Sequence, residues 1–142
     1  MNIVWLSFVG LILLLGACTD PRPASLPEKL TVTPPDASVP AEFAAFSGVW
    51  RGRWGSCIDG ALGVHTIRPD GSVDTVYAWG DCATNNVSAG STEQEGQIVG
   101  KVLTLKTFST GAQASYELAP DGTLAGIYRR DGSITRGVFV RQ

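Results

Sequence analysis

Histidine is almost missing from this chain of 142 residues: His65 is the only one. A serine hydrolase needs an imidazole beside a placed nucleophile, and no G-x-S-x-G elbow appears anywhere in the chain. Cysteine is limited to Cys18, Cys57 and Cys82. With one distant histidine, these fall short of the four closely spaced ligands of a zinc site. No catalytic, metal or cofactor constellation emerges, and the chain reads as a non-enzyme. Charge is also scarce. The 11 basic and 13 acidic residues make up 17% of the chain and leave a net charge of −2. Nucleic acid calls for a clustered basic face, which is lacking. A polybasic grip on anionic lipid is lacking for the same reason. No long helical period follows residue 50.

Two further catalytic readings fail on context. His65 lies in GALGVHTI, inside an expected strand, and reads as structural or surface. Asp59, Asp74 and Asp81 could pair as carboxylates for glycoside cleavage. All three fall near expected turns or strand ends, where aspartate is ordinary.

What is present begins with an apolar run from Ile3 to Leu15, closed by Gly16-Ala17-Cys18. A short transmembrane helix is one reading, but a span needs about 20 apolar residues. This run is shorter and gives way to Thr19, Asp20 and Pro21. Small residues closing a short apolar segment mark a signal-peptidase site. With a cysteine directly after them, the stretch resembles the lipobox of bacterial lipoproteins. The resemblance implies that residues 1–17 are removed and that Cys18 becomes an acylated first residue anchored in a membrane. Thr19, rather than aspartate, after that cysteine favours the outer membrane, facing the periplasm. In that oxidising compartment the remaining pair, Cys57 and Cys82, is expected to form a disulfide.

Residues 18–44 hold the acylated cysteine and a proline-rich linker. Six of the eight prolines lie between Pro21 and Pro40. Such a stretch is expected to be disordered, extended and partly polyproline. The folded domain is expected over 45–142. Ala41 to Phe46 has the composition of one helical turn. Eight strands follow, roughly over 47–56, 61–68, 72–79, 88–96, 101–108, 112–119, 123–129 and 133–141. Asp70-Gly71, Asp121-Gly122 and Asp131-Gly132 supply the positive φ of tight reversals. Pro69 and Pro120 precede two of them, as suits the start of a turn. The class is all-β. Evenly spaced hairpins point to a small antiparallel up-and-down barrel, with a β-sandwich as the alternative.

FSGVWRGRWGSC opens the domain. On one strand, Phe46, Gly48, Trp50, Gly52 and Trp54 share a face, and Val49, Arg51 and Arg53 share the other. The rings are expected inside and the arginines in water. Gly48-Val49-Trp50 resembles the G-x-W motif of lipocalins and related calycins. That resemblance implies that Trp50 plugs one barrel end under an arginine of the last strand, Arg136 or Arg141. Calycin-like periplasmic inhibitors of secreted metalloproteases share an early G-x-W and one disulfide, and they act through an extended N-terminal arm. Here the corresponding arm is residues 19–46.

Trp50, Trp54, Tyr77 and Trp79 are expected either to fill the core or to line a ligand pocket. Ala83 to Gly90 is expected to be a longer polar loop beside the disulfide. Its Asn86-Val87-Ser88 matches a glycosylation acceptor, without meaning in a bacterium. The function expected is non-catalytic binding of a small apolar ligand or an envelope protein. A protease or hydrolase inhibitor and a purely structural envelope component are the alternatives.

Overall fold

The computed structural model describes residues 19–142; the apolar leader and Cys18 lie outside the described residues. One helical turn, α1 (Ala41–Ala44), leads into β1 (Gly48–Trp54), β2 (Ile58–Ile67), β3 (Ser72–Trp79), β4 (Gly90–Val99), β5 (Val102–Leu105), β6 (Gln113–Leu118), β7 (Leu124–Arg130) and β8 (Ser133–Arg141). Each strand pairs antiparallel with the next, and β8 returns to β1, so the sheet closes. The up-and-down barrel is the fold, and the sandwich is not. Closure leaves no strand edge open to another chain.

The Asp-Gly pairs turn the chain by two routes. At Asp131-Gly132 both residues have positive φ, 49° and 79°, as a two-residue hairpin requires. At Pro69-Asp70-Gly71 and Pro120-Asp121-Gly122 only the glycine does, at 82° in each. There the aspartate side chain braces the turn. Asp70 Oδ1 accepts from Ser72 N at 2.9 Å, and Asp121 Oδ1 accepts from Thr123 N at 3.0 Å. The first connection is tighter than expected. Ile58 already pairs with Trp54, so β2 starts three residues before the expected position 61.

β1 alternates as its spacing predicts. Phe46 and Trp50 are fully buried and Trp54 nearly so, while Arg51 and Arg53 face solvent. Such rings each remove about 150–250 Å² from water. At about 25 cal/mol per Å² this stabilises the fold by roughly 4–6 kcal/mol per ring. Phe139 of β8 and Tyr116 of β6 pack edge-on against each other at 5.4 Å and extend this core across the lumen.

The proline-rich segment, expected as a disordered spacer, is instead fastened to the barrel from Arg22 onward. The cause lies in β2 and β3. A barrel strand with one wet face alternates in burial, but β2 is buried continuously from Gly60 to Val64. Its outer wall carries small residues, and these are covered. Ala61 and Ala78 are cross-strand partners that pack with Ala24 and Leu26 of the segment. Leu30 lies directly over Gly63, where an added Cβ would stand only 2.4 Å from its Cδ2. Backbone bonds complete the fastening: Thr33 N donates to His65 O at 2.9 Å, and Asp81 N to Arg22 O at 2.8 Å. Arg51 Nη1 donates to Ala24 O, also at 2.9 Å. Val39 then enters the main core. Polyproline backbone is extended before docking, so little conformational entropy opposes the fit.

The strap ends at Asp81, whose carboxylate accepts from Arg22 N, Nε and Nη2 at 2.8–3.1 Å and from Ala89 N at 2.6 Å. Hydrogen bonds from the Arg22 guanidinium, then from the Ala89 and Arg22 amides, hold this carboxyl well below the usual carboxylate range. A depressed carboxylate contributes fully above its unfolded value and loses that contribution as pH falls through its folded value. Pulse-labelled hydrogen exchange should therefore find the Arg22, Leu30 and Thr33 amides protected at neutral pH and deprotected only well below about pH 3.9, the ordinary aspartate value. Asp81→Asn should deprotect them at neutral pH while the barrel amides stay protected.

Candidate functional site

The two barrel ends differ. At the end where β1 begins and β8 finishes, Trp50 closes the lumen. Its indole Nε1 donates to Phe46 O at 2.9 Å, so the buried N–H is satisfied. Arg141 lies over the ring with Cζ 4.2 Å from its centroid. Its guanidinium also donates to Ala45 O at 2.5 Å and to Ser47 O. Gly48, at φ +123°, leaves room for that guanidinium; an added Cβ would sit 2.9 Å from Nη1. Of the two arginines the sequence nominated, Arg141 is the partner of Trp50. Arg136 sits on the exposed outer wall, opposite Ile127 of β7.

At the other end, Trp54 lies across the lumen as a floor. Its six-membered ring reaches Gly126 of β7 and Gly137 of β8, and its Nε1 reaches Gly60 of β2. An added Cβ at any of the three would come within 2.7–3.0 Å of the indole. Phe139 comes as close at all three, 2.8–3.0 Å, so three strands have given up side chains to admit two rings. Above this floor opens a cavity of about 680 Å³. Tyr77, Trp79, Phe108 and Tyr128 form its aromatic wall, Ile58 and Val87 add apolar surface, and Arg130 is the one charged residue lining it. The rings stand close: Tyr77 is 5.6 Å from Trp79 and 5.2 Å from Phe108, and Phe108 is 6.4 Å from Tyr128.

The mouth is braced on one side by the polar loop after β3. Cys57, in the β1–β2 turn, is disulfide-bonded to Cys82, with Cα atoms 5.7 Å apart, as the even pair predicted. A closed loop of this size is worth roughly 3 kcal/mol by chain entropy. Trp79 Nε1 donates to Ser88 O at 2.8 Å, which ties a wall ring to that loop. Asp81 holds Ala89 from behind.

The four aromatic residues nominated from sequence therefore divide. Trp50 is core and plug, Trp54 is core and floor, and Tyr77 and Trp79 are wall. Phe108 and Tyr128 were missed. Tyr128 lies inside β7, two residues before its end, and Phe108 lies in the β5–β6 connection, positions that reach this rim only once the barrel is closed. His65 is on the strapped side, its Nδ1 3.2 Å from Thr66 Oγ1. Asp59, Asp74 and Asp81 do not gather: they pair separately with Arg53, Arg68 and Arg22. A second hollow, about 600 Å³, lies outside the barrel over β3–β5. Its charges are matched internally as Arg68–Asp74 and Lys106–Glu95.

The sequence matches no family model and no curated protein.

Replacing Arg141 by alanine should lower unfolding stability by about 1–2 kcal/mol in chemical denaturation, from an exposed cation–π contact of about 0.5–1 kcal/mol together with its charge-assisted bonds to Ala45 O and Ser47 O. Replacing Arg136 by alanine should change it by less than about 0.5 kcal/mol, as for an ordinary surface site.

Proposed function

We propose that this chain is a lipid-anchored envelope protein whose barrel binds a small, largely apolar, ring-bearing ligand in its aromatic mouth, without catalysis. The observation that carries this reading is the cavity of about 680 Å³ walled by Tyr77, Trp79, Phe108 and Tyr128 above the Trp54 floor. Small-molecule sites typically span about 300–1,000 Å³ and are lined mainly by apolar and aromatic side chains with a few polar groups. The contrast between the two ends supports the same reading. Rings needed only for stability close the lumen tightly, as Trp50 does, while the rings at the mouth surround space.

An inhibitor working through a free N-terminal arm is less well supported, because the strap is held by Arg22, Ala24, Leu26 and Leu30. The anchor itself rests on Leu15-Gly16-Ala17-Cys18 and on the disulfide pair. Thr19 favours the outer membrane over the inner one.

Two experiments test these parts. The soluble 19–142 form should bind the uncharged dye N-phenylnaphthylamine with enhanced emission. Trp79→Ala and Phe108→Ala should each weaken that binding about 10-fold, since aromatic truncation costs more than about 1 kcal/mol at such contacts. Unaltered affinity in both variants would place the dye elsewhere. For the anchor, full-length protein should partition to membranes and accumulate unprocessed under globomycin. Cys18→Ser should release it from that fate; identical processing with and without the cysteine would refute acylation.

A further inference from the structure

The strap meets the barrel at the mouth end. Arg22 is seated just past the end of β3: its carbonyl accepts from Asp81 N at 2.8 Å, and its guanidinium is bonded to the Asp81 carboxylate. Trp79, two residues before Asp81, is mouth wall. From Arg22 the strap runs along β2 toward the plugged end, with Leu30 over Gly63 and Thr33 bonded to His65 O. The chain preceding Arg22 therefore departs from the mouth. Cys18 is four residues away, and four residues span at most about 14 Å when fully extended. A free linker over 18–44 would have let the barrel take any orientation relative to Cys18; a strap fastened from Arg22 does not.

The connections at this end suit a lipid surface. Ser56, Thr84, Asn85, Asn86, Ser109 and Thr110 are exposed and uncharged. Such side chains donate to phosphate and ester oxygens without bringing a charge. The charged residues of these connections, Asp81, Lys106 and Asp131, each stand in an ion pair, with Arg22, Glu95 and Arg130. Inside the rim, Trp79, Phe108 and Tyr128 are half-buried, and aromatic side chains with a polar tip favour the boundary between water and lipid. The plugged end differs. Lys101 and Asp121 are exposed in its connections and have no ion-pair partner among the described residues. Pressing those charges against lipid would cost their hydration.

Building on the reading of Cys18 as acylated, we propose that the barrel stands mouth-down, its rim resting on the surface of the bilayer that holds Cys18. The short free segment Thr19–Pro21 sets this orientation, and the aromatic cavity opens onto lipid. A ligand entering by this route comes from the lipid phase.

Tryptophan quenching reads the orientation. The full-length, lipidated protein is reconstituted into phosphatidylethanolamine–phosphatidylglycerol vesicles containing phosphatidylcholine brominated in the upper acyl chain. One added tryptophan reports each end: Ser109→Trp on the mouth rim, and Val99→Trp beside the β4–β5 turn of the plugged end, where Val99 is 73% exposed. Emission added by Ser109→Trp should be lost in the brominated vesicles, and emission added by Val99→Trp should be kept. A Gly-Ser insertion of about 20 residues between Asp20 and Pro21, with an r.m.s. length of about 25 Å, should restore the Ser109→Trp emission. Quenching that survives the insertion would overturn the short segment as the orienting element. Vesicle-bound protein in which both reporters are quenched, neither is, or only Val99→Trp is, would overturn the orientation while leaving the anchor intact. If the protein is not held by vesicles at all, the acylation of Cys18 fails, and the orientation with it.

Discussion

Everything in this barrel depends on how a closed lumen is filled along a single strand. Phe46, Trp50 and Trp54 recur every fourth residue on the inward face of β1 and its approach. A strand places such residues about 13 Å apart along its axis, so the rings fill successive levels of the interior. Phe46 and Trp50 seal one end, and Trp54 ends the packed region. The other strands are complementary rather than independent contributors. Gly60, Gly126 and Gly137 withhold their side chains at the level where Trp54 and Phe139 need room. Eight strands enclose only enough space for side chains or one small ligand. In this barrel one indole divides the packed side chains from the open space at the mouth.

That dependence explains which features could be read before the fold was known. The alternation in GVWRGRW is local, so it placed the rings inside and the arginines outside. The Asp-Gly reversals are local too, and they set the strand count and thereby closure. The choice between Arg136 and Arg141 is not local. It turns on which residue of β8 lies beside Trp50 at the barrel end, and the pairing of Trp50 with Arg141 supplies that. Phe108 and Tyr128 escaped notice for a similar reason: Tyr128 becomes wall through the register of β7, and Phe108 through the path of the β5–β6 connection.

The strap was hidden by composition, since proline-rich sequence usually means a spacer. A contrary signal was nonetheless present. IDGALGVHTI has small or apolar residues at both parities from Gly60 to Val64, so whichever face points inward, the other is also apolar. An antiparallel strand with that pattern requires a cover. Ala24, Leu26 and Leu30 are the only apolar residues between the prolines on the approach to Val32 that could supply it. The strap also reaches the mouth. Asp81 binds Arg22 on one side and Ala89 on the other, one residue from Cys82 and its disulfide. The loop carrying Asn85 and Val87 to the rim is thus held by a covalent link, a carboxylate and the Trp79 N–H at once.

Two tryptophans four residues apart on β1 are buried alike but surrounded differently. Both are almost wholly buried on the same face of the same strand, and both bury similar apolar area. Area therefore cannot distinguish them. Their N–H groups do. Trp50 donates to a backbone carbonyl supplied by the chain entering β1, and Arg141 covers its ring. Trp54 has glycines around its edge, no acceptor for its N–H, and open space lined by four rings above it. A site serving stability alone would gain from phenylalanine there, because that would remove a donor whose burial without a partner is costly. An indole at the floor, with a second unpaired polar atom on Tyr116 beside it, is therefore a cost that the large apolar area of the two rings has to offset.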